Sequence, residues 1–541
     1  MKFFSASFAL LAALPSVFAA FGVTTSGTNM VVDSGAGLVT TINTANGDIT
    51  SMLFNGKQLQ DASAHTQLSS GLGSATVTSA VTGNVAKITI TTSTITHYYI
   101  VVSGQNTLYI GTFASAEPTV GELRFIARLL KSSLPNGIPQ SEIAGGTAIE
   151  GSDVFLVNGQ TRSKFYSSVP FIRDQVHGVT GSGVGAFMII PSVSYETSSG
   201  GPFFRDINNQ GSSQQELYWY MNSNHEQTEV YRTGFFGPYA LAITTGAAPS
   251  ATLNTTFMDS LGLRGYVPAS GRGTVTGSFS GTLAGVAVTI GFKNSANQYW
   301  VAASGTGSGS FSRNLMKPGT YTVTLYQGEL EAGTGSVTVR AGASSSISIS
   351  SNLSRPTTIW SIGTVDGTPV GMLNADKIQK IHPSDSRMSS WGPVTFTVGS
   401  SAVSSFPMAQ FKAVNNPTTI RWTPASSSQI GARTLRIRTT EAFAGGRPQI
   451  TVNSFTSTIP AAPTAVDSRG HVTFTLLDFA NGMQCSVTRG TWRGLNQVYD
   501  YAIPAGTLTT GVNTITINVV SGSSGDGFLS PNFVYDSVEL F

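Results

Sequence analysis

Two short segments of the chain bring together side chains that could move protons. Tyr218 to His225 (YWYMNSNH) places three aromatic residues close to a histidine, and the whole chain has only six histidines. Further upstream, Thr161 to Tyr166 (TRSKFY) holds Lys164 between arginine, hydroxyl and aromatic side chains. Alternating aromatic residues on a strand form a platform for a flat ligand such as a sugar ring. A lysine and a histidine beside that platform suit proton transfer.

Both residues also have ordinary structural roles. A lysine in such a context is more often solvated on a strand, and a histidine after an aromatic run is more often packed or hydrogen-bonded than catalytic. A second chemistry is open as well, because Asp174, Asp206 and Glu229 could supply the acid and the base of a glycoside hydrolase. Such a pair must lie about 5 to 9.5 Å apart across the sugar, a distance that residue types alone do not give.

Several other classes of site lack their motifs. The histidines show no HxxxH or HxH spacing and there is one cysteine, so we expect no catalytic metal. The glycine-rich segment Gly181 to Gly185 is typical of a turn rather than of a serine hydrolase elbow, and no GxxxxGK[ST] phosphate loop occurs. A net charge of +3 without a basic run argues against a nucleic-acid partner.

The elements that must position these residues are predicted to be strands. Charged residues make up only 11% of the chain, whereas 60 glycines and many serines and threonines punctuate it, a composition typical of an all-β extracellular protein. Residues 1–19 have the basic start, apolar run and small residues of a secretory signal peptide. No later window is apolar enough for a membrane helix, so we expect a protein secreted into the extracellular space without a membrane partner.

The strand patterns divide the rest of the chain into three modules. Residues 20–264 contain long alternating runs such as Lys87 to Tyr99, which favour a large β-sandwich. Residues 265–352 hold five or more short strands, as in an immunoglobulin or fibronectin type sandwich, and the Ser-rich stretch Ala343 to Asn352 ends this module. The turn density of residues 353–541 indicates a jelly roll.

The single cysteine and two glycosylation sequons bear on how a secreted chain is stabilised and modified. Cys485 is the only cysteine, so no disulfide can form within the chain and stability must come from the sheet cores. Asn254 and Asn352 each begin a glycosylation sequon, which predicts surface positions for both.

Through several sequence segments taken together, the chain resembles the fungal secreted rhamnogalacturonan lyases (rhamnogalacturonan endolyases) of polysaccharide lyase family 4. The resemblance covers essentially the whole mature chain. It is carried by these segments: Gly121 to Arg128 (GELRFIAR), Gly146 to Phe155 (GTAIEGSDVF), Thr161 to Tyr166, Gly200 to Ile207 (GGPFFRDI), Tyr218 to His225, Met316 to Tyr321 (MKPGTY), His382 to Pro393 (HPSDSRMSSWGP) and Ser521 to Phe533 (SGSSGDGFLSPNF).

The resemblance implies a fold and a reaction. It implies a large catalytic β-sandwich, then a fibronectin type III-like module and a jelly-roll module similar to carbohydrate-binding modules. It also implies endo-acting β-elimination at the rhamnose-(α-1,4)-galacturonate bonds of rhamnogalacturonan I, a pectin. The partner would be this acidic polysaccharide, bound by a monomer without a cofactor for catalysis; a structural Ca²⁺ in the third module is conceivable. Without the resemblance, a hydrolase or a pectin-binding protein that is not an enzyme stays open.

Roles for single residues also come from the resemblance. Lys164 matches the expected general base and His225 the general acid, although the opposite assignment is open. Arg124 matches an arginine that binds the substrate. Tyr218, Tyr220 and Glu229 match further positions that line the cleft.

One segment departs from the family pattern. Residues 471–486 separate Asp467-Ser468-Arg469-Gly470 from Val487-Thr488-Arg489-Gly490, which run together in the family, and they include Cys485. Their mixture of Phe, Leu, Met and Cys is unlike the surrounding loops. We interpret this segment as an insertion that an unspliced intron would explain, with a genuine extra loop or strand as the alternative.

Overall fold

The structure is a computed structural model that describes the following residues: 20–116, 122–138, 143–150, 154–211, 213–223, 231–377, 391–463, 491–493, 495–521 and 530–541. Within these ranges the regular elements are β-strands and short 3-10 helices, which confirms the predicted all-β class. None of the helices in these ranges has the length and apolar character needed to cross a membrane. The 3-10 helices are Lys164–Ser167, Ser192–Glu196, Thr256–Ser260, Ala269–Gly271, Ala375–Lys377, Val403–Ser405 and Ser427–Gln429.

The first module contains nineteen strands within the described ranges. They are Gly22–Ser26 (β1), Asn29–Asp33 (β2), Leu38–Asn43 (β3), Ile49–Phe54 (β4), Lys57–Gln58 (β5), Gln67–Leu68 (β6), Thr76–Thr82 (β7), Val85–Thr91 (β8), Ile95–Val102 (β9), Thr107–Ala114 (β10), Leu123–Leu129 (β11), Thr147–Glu150 (β12), Val154–Val157 (β13), Gln160–Ser163 (β14), Val176–Gly181 (β15), Val184–Ile189 (β16), Asn209–Gly211 (β17), Gln215–Asn222 (β18) and Gly234–Thr244 (β19).

Two sheets of this module enclose its main core. A seven-stranded sheet has the order β15-β16-β19-β10-β9-β8-β7, and a four-stranded sheet has the order β17-β18-β11-β6. Trp219 of the smaller sheet lies against Tyr239 of the larger one, with ring centroids 4.2 Å apart. Phe125 contacts the same tyrosine at 5.7 Å. The inner face of the four-stranded sheet is therefore packed against the core, and its outer face is the one that can carry a site.

A five-stranded sheet, β1 to β5 in sequence order, and a small sheet, β12-β13-β14, complete the module.

The second module is a small sandwich. Its strands are Gly273–Ser280 (β20), Val288–Lys293 (β21), Gln298–Ala302 (β22), Ser308–Met316 (β23), Gly319–Gln327 (β24), Leu330–Val339 (β25) and Ser344–Ser350 (β26). They form sheets β23-β20-β26 and β22-β21-β24-β25 around a shared apolar core. The Ser-rich stretch predicted to end this module is its last strand, since β26 pairs in parallel with β20.

The third module is a second, larger sandwich. Its strands are Trp360–Gly363 (β27), Thr395–Thr397 (β28), Ala409–Phe411 (β29), Thr418–Trp422 (β30), Arg433–Phe443 (β31), Arg447–Val452 (β32), Phe455–Thr456 (β33), Gln497–Ile503 (β34), Asn513–Val520 (β35) and Asn532–Leu540 (β36). One sheet has the order β27-β36-β31-β34, with β29 also paired to β36, and the other has the order β28-β30-β35-β32-β33. The suspected insertion, residues 471–486, lies outside the described residues.

The first two modules share a buried contact. Trp300 of β22 belongs to the main core of the first module, where its ring centroid lies 5.7 Å from that of Tyr195. Next to it, Glu196 is fully buried. Its carboxylate accepts hydrogen bonds from Arg272 at 2.6 and 3.0 Å and from the Tyr299 hydroxyl at 2.7 Å, and it lies 2.9 Å from Lys317 Nζ. One carboxylate of the first module thus binds three polar side chains of the second.

We expect Glu196→Gln to destabilise the protein strongly. Burial opposes the charge of Glu196, but Arg272 and Lys317 outweigh it and hold the pKa of the carboxyl below its usual value. Removing that charge leaves the buried Arg272 and the partly buried Lys317 without a counter-charge, a change that costs about 3–5 kcal/mol. The midpoint of urea unfolding at neutral pH should fall accordingly, whereas Glu331→Gln, which changes an exposed glutamate of β25, should leave it nearly unchanged.

The pH dependence gives this prediction a second test. Because the pKa of Glu196 is lowered on folding, its stabilising contribution is present above the unfolded pKa and is lost as the pH falls through the folded value. The difference in midpoint between the wild type and Glu196→Gln should therefore shrink in acid. Equal midpoints at neutral pH would contradict the stabilising role of this contact.

The third module also reaches the first. Arg205 lies over the Trp492 ring with its guanidinium carbon 5.5 Å from the centroid, and Arg493 lies over Phe203 at 5.0 Å. Arg493 Nε is also 3.2 Å from the Glu329 carboxylate of the second module. Burial lowers the pKa of Arg205 to about 10. The three modules therefore meet at Phe203 and Arg205 of the first module.

Both predicted sequon asparagines, Asn254 and Asn352, are exposed. Their positions agree with the surface location that a sequon requires, and glycosylation of either residue stays a prediction.

Candidate active site

The outer face of β18 carries two stacked tyrosines. As period-two alternation predicts, Trp219 points into the core, and Tyr218 and Tyr220 lie together on the opposite face. Their ring centroids are 5.7 Å apart and their planes are inclined by 24°. Both rings are largely covered, because they pack with Ile126, Phe165 and Ile207. The tyrosines are therefore the packed floor of the site rather than an open platform.

Arg124 lies on the neighbouring strand β11, directly opposite Tyr220. Its Nη1 donates a hydrogen bond of 2.8 Å to the Tyr220 hydroxyl and is 2.6 Å from the Glu122 carboxylate. Its guanidinium carbon is also 5.7 and 5.5 Å from the ring centroids of Tyr218 and Tyr220. Burial opposes the charge of Arg124, but Tyr220 and Glu122 outweigh it and raise the pKa of the arginine. The site therefore holds a permanent positive charge in a fixed place.

The same face continues along both strands with a second ion pair. Arg128 Nε donates to Glu216 Oε1 at 3.1 Å, and these residues are also register partners. The other oxygen of Glu216 accepts a 2.5 Å hydrogen bond from the Tyr218 hydroxyl. Burial, reinforced by the Glu216 charge, raises the pKa of Tyr218 well above its usual value. Tyr218 is thus a neutral donor held by a carboxylate that is itself held by an arginine.

Lys164 begins the 3-10 helix Lys164–Ser167, which follows β14. Ser163 caps this turn, because its hydroxyl accepts a hydrogen bond from the Phe165 amide at 3.1 Å. Phe165 is buried in the tyrosine cluster, and Lys164 Nζ lies 5.7 Å from the Phe155 ring centroid. The packing of Phe165 therefore places the backbone of Lys164 next to the tyrosine floor.

The far end of the same turn is tied to the start of β17. The Ser167 hydroxyl accepts hydrogen bonds from the backbone amides of Asn208 and Asn209, both at 3.1 Å. Both ends of the lysine turn are therefore fixed by contacts within the site.

His225 and Glu229, the other two predicted site residues, lie outside the described residues. In the sequence, His225 follows shortly after Asn222, the last residue of β18. Their roles stay predictions that rest on the family resemblance.

The other carboxylates considered for a hydrolase are buried within the first module. Asp174 bonds His177 through Oδ1 at 2.8 Å, and its Oδ2 lies 3.4 Å from the Tyr195 hydroxyl. Asp206 is only 2% exposed, and its Oδ1 accepts a 2.7 Å hydrogen bond from the Ile207 amide. Neither carboxylate is arranged as an accessible acid and base pair.

Sequence reasoning missed three residues of this network: Arg128, Glu216 and His177. The first two could have been found, because Arg128 and Glu216 share the strand faces of Arg124 and Tyr218 at even spacing. His177 carries no such signal, since it reaches β18 from a strand of the other sheet. Within the described ranges, no three residues among His, Cys, Asp and Glu come together as a ligand group for a metal.

Known protein families match the chain in three consecutive blocks. Residues 21–265 match the family described as rhamnogalacturonan lyase B, N-terminal, residues 271–347 match polysaccharide lyase family 4, domain II, and residues 358–540 match polysaccharide lyase family 4, domain III.

Individual relatives extend over nearly the whole length. The chain is 52% identical to a probable rhamnogalacturonate lyase A from Aspergillus clavatus over 97% of this chain and 96% of the relative. It is also 52% identical to rhamnogalacturonate lyase A from Aspergillus aculeatus, again over 97% and 96%. The enzyme of the same name from Emericella nidulans is 51% identical over the same shares. This likeness across all three modules shows that the chain belongs to the rhamnogalacturonan lyases of polysaccharide lyase family 4.

Proposed function

We propose that this lyase is secreted and cleaves the rhamnose-(α-1,4)-galacturonate bonds inside the backbone of rhamnogalacturonan I by β-elimination. The observation that carries the proposal is the fixed cation Arg124, set against two tyrosines that also pack with the residue following Lys164. This reaction needs a cation that binds the carboxylate of the sugar acid, and a base at the same place. The names of the relatives, rhamnogalacturonate lyases, support the substrate.

Arg124 would bind the carboxylate of the galacturonate whose C5 proton is removed. Its side chain is 20% exposed, so a ligand in the cleft can reach it. The C5 proton is only weakly acidic, and negative charge spreads onto the adjacent carboxylate when the proton leaves. A charged, preoriented donor lowers the energy of that developing charge more than that of the ground state.

The bond changes then balance without water. Lys164, in its uncharged form, accepts the proton from C5, and the electron pair of the broken C5–H bond forms a double bond between C4 and C5. The C4–O bond to the rhamnose side breaks, and its electron pair leaves with the oxygen. His225 donates a proton to that oxygen. The products are an unsaturated galacturonate at the new non-reducing end and a free hydroxyl on the other fragment.

The working form would be a monomer in the extracellular space, without a cofactor in the chemistry. Tyr218 and Tyr220 would shape the floor under the sugar, and Glu229 would complete the cleft wall or orient His225.

Product analysis tests the reaction type. After digestion of rhamnogalacturonan I, we expect mass spectrometry to show fragments with unsaturated galacturonate at their new ends. Fragments heavier than these unsaturated products by the mass of one water would establish hydrolysis and overturn the proposal. Homogalacturonan, which lacks rhamnose in its backbone, is the matched control and should remain uncut.

A further inference from the structure

The regular pairing between β17 and β18 stops one residue short of Tyr218. β17 pairs with β18 only through Asn209, Gln210 and Gly211. One step beyond, the Tyr218 amide still donates to the Asn208 carbonyl at 2.9 Å. In a regular antiparallel pair the Asn208 amide would donate back to the Tyr218 carbonyl. Here that amide donates instead to Ser167, at the end of the lysine turn.

His177 takes the place of the missing donor. Its Nε2 is 2.9 Å from the Tyr218 carbonyl oxygen, and its Nδ1 is 2.8 Å from Asp174 Oδ1. A carbonyl oxygen only accepts hydrogen bonds, and so does an ionised carboxylate. For an ionised Asp174, both ring nitrogens must carry hydrogen for both contacts to form, which makes His177 an imidazolium.

The surroundings of His177 supply its counter-charge. Asp174 is buried, and the Tyr195 hydroxyl donates to its backbone carbonyl at 2.6 Å. Arg173, which is exposed, and His177 line the same cavity of about 180 Å³, together with Ser167, Asn208 and Asn209. Burial of His177 opposes its charge, but Asp174 outweighs this effect, and the pKa of the histidine is raised. The contacts and the charge agree on the protonated form.

We propose that His177 is a positioning residue: paired with Asp174, it holds the Tyr218 carbonyl and so keeps the tyrosine floor in register with the Lys164 turn. The proposal rests on the proposed function, because it concerns the same site. It follows from one diverted hydrogen bond. The Asn208 amide, which would donate to the Tyr218 carbonyl, donates to Ser167 of the lysine turn instead. His177 donates to the Tyr218 carbonyl in its place.

The pH dependence has a definite sign. Because the folded pKa of His177 is raised above its ordinary value, both hydrogen bonds are present below the unfolded pKa and one is lost as the pH rises through the folded value. A neutral ring would turn a lone pair toward either Tyr218 or Asp174. The pH profile of wild-type activity should therefore include a fall on the alkaline side that arises from deprotonation of His177.

Two variants separate the two hydrogen bonds. The glutamine amide nitrogen in His177→Gln can reach the place of Nε2 and keep the donor to Tyr218, without any titration. The asparagine in His177→Asn reaches only the place of Nδ1 and loses that donor. We expect kcat/KM on rhamnogalacturonan I to fall by about 10- to 100-fold in His177→Asn, because small displacements in a site have effects of this size. In His177→Gln the fall should be below about threefold, and the alkaline limb assigned to His177 should disappear.

Controls distinguish positioning from stability alone. Rates are measured well below the unfolding temperature of each variant and are expressed per folded molecule. His65→Gln, which changes a partly exposed histidine 3.9 Å from Asp48, should leave the profile unchanged. Equal rates and profiles for His177→Asn and His177→Gln in an otherwise active enzyme would overturn the proposal.

Nuclear magnetic resonance gives a readout that does not depend on activity. In the full-length protein labelled with ¹⁵N-histidine, the His177 signals are those lost in His177→Gln. In a pH titration, we expect both of its ring nitrogens to stay protonated to a higher pH than those of an ordinary histidine. A ring that loses its proton at the ordinary pH or below it would refute the proposal. If the wild type instead released no unsaturated product while these signals were as expected, the proposed reaction would fail and the histidine assignment would stand.

Discussion

Lys164→Ala should reduce turnover on rhamnogalacturonan I by at least about 10³-fold, within the span known for the loss of a general base. The lysine turn is held at both ends by Phe165 and Ser167, so we expect removal of the amine to leave the surrounding backbone in place. A base acts mainly in the transition state. Binding of an intact oligosaccharide should therefore change by no more than about threefold, as measured by calorimetry.

A second lysine provides the control. Lys87 lies on β8 and donates through Nζ to the Leu261 carbonyl at 2.7 Å, on a sheet that does not carry the tyrosine floor. Lys87→Ala should keep normal turnover. If Lys164→Ala retained more than about a tenth of wild-type turnover, Lys164 would not be the base.

Arg124→Ala should lower kcat/KM by about 10³-fold, with both a higher KM and a lower kcat. In the proposed reaction the carboxylate of the substrate meets this guanidinium before and during proton removal, so the loss should affect binding as well as rate. The side chain also lies against both tyrosine rings, and its removal opens space in the floor. Calorimetry and steady-state kinetics on the same oligosaccharide separate the two effects.

The variant Arg124→Lys sharpens this test. Lysine keeps the positive charge but cannot offer two parallel donors to a carboxylate. We expect a loss between those of the wild type and Arg124→Ala. A normal KM in Arg124→Ala would show that the substrate carboxylate binds elsewhere.

Alternation along a single strand was readable from the sequence. It predicts that Trp219 and the two tyrosines lie on opposite faces of β18, and the structure confirms this. The same rule is less reliable where a strand turns back. The run from Lys87 to Tyr99 contains two strands, β8 and β9, joined by a short turn at residues 92–94. Threonines are common both in strands and in such a turn, so composition did not mark the break.

Contacts between distant segments were not readable in this way. The Glu216 carboxylate meets Tyr218 because of strand geometry, but His177 meets the Tyr218 carbonyl only because two sheets approach each other. The diversion of one backbone amide to Ser167 likewise depends on the path of a loop. No local propensity encodes either meeting. The family resemblance supplied roles for Lys164 and Arg124, but it did not point to these supporting contacts.

The position of Trp300 has a consequence for exchanging parts between relatives. This indole belongs by sequence to the second module and by packing to the core of the first. A chimaera joined at the linker before Arg272 would pair one parent's Tyr195 and Glu196 with the other parent's Trp300, Arg272 and Lys317. Where the two parents differ at these five positions, a crossover should keep all five from one parent, so that the unit to exchange is the pair of modules rather than either one.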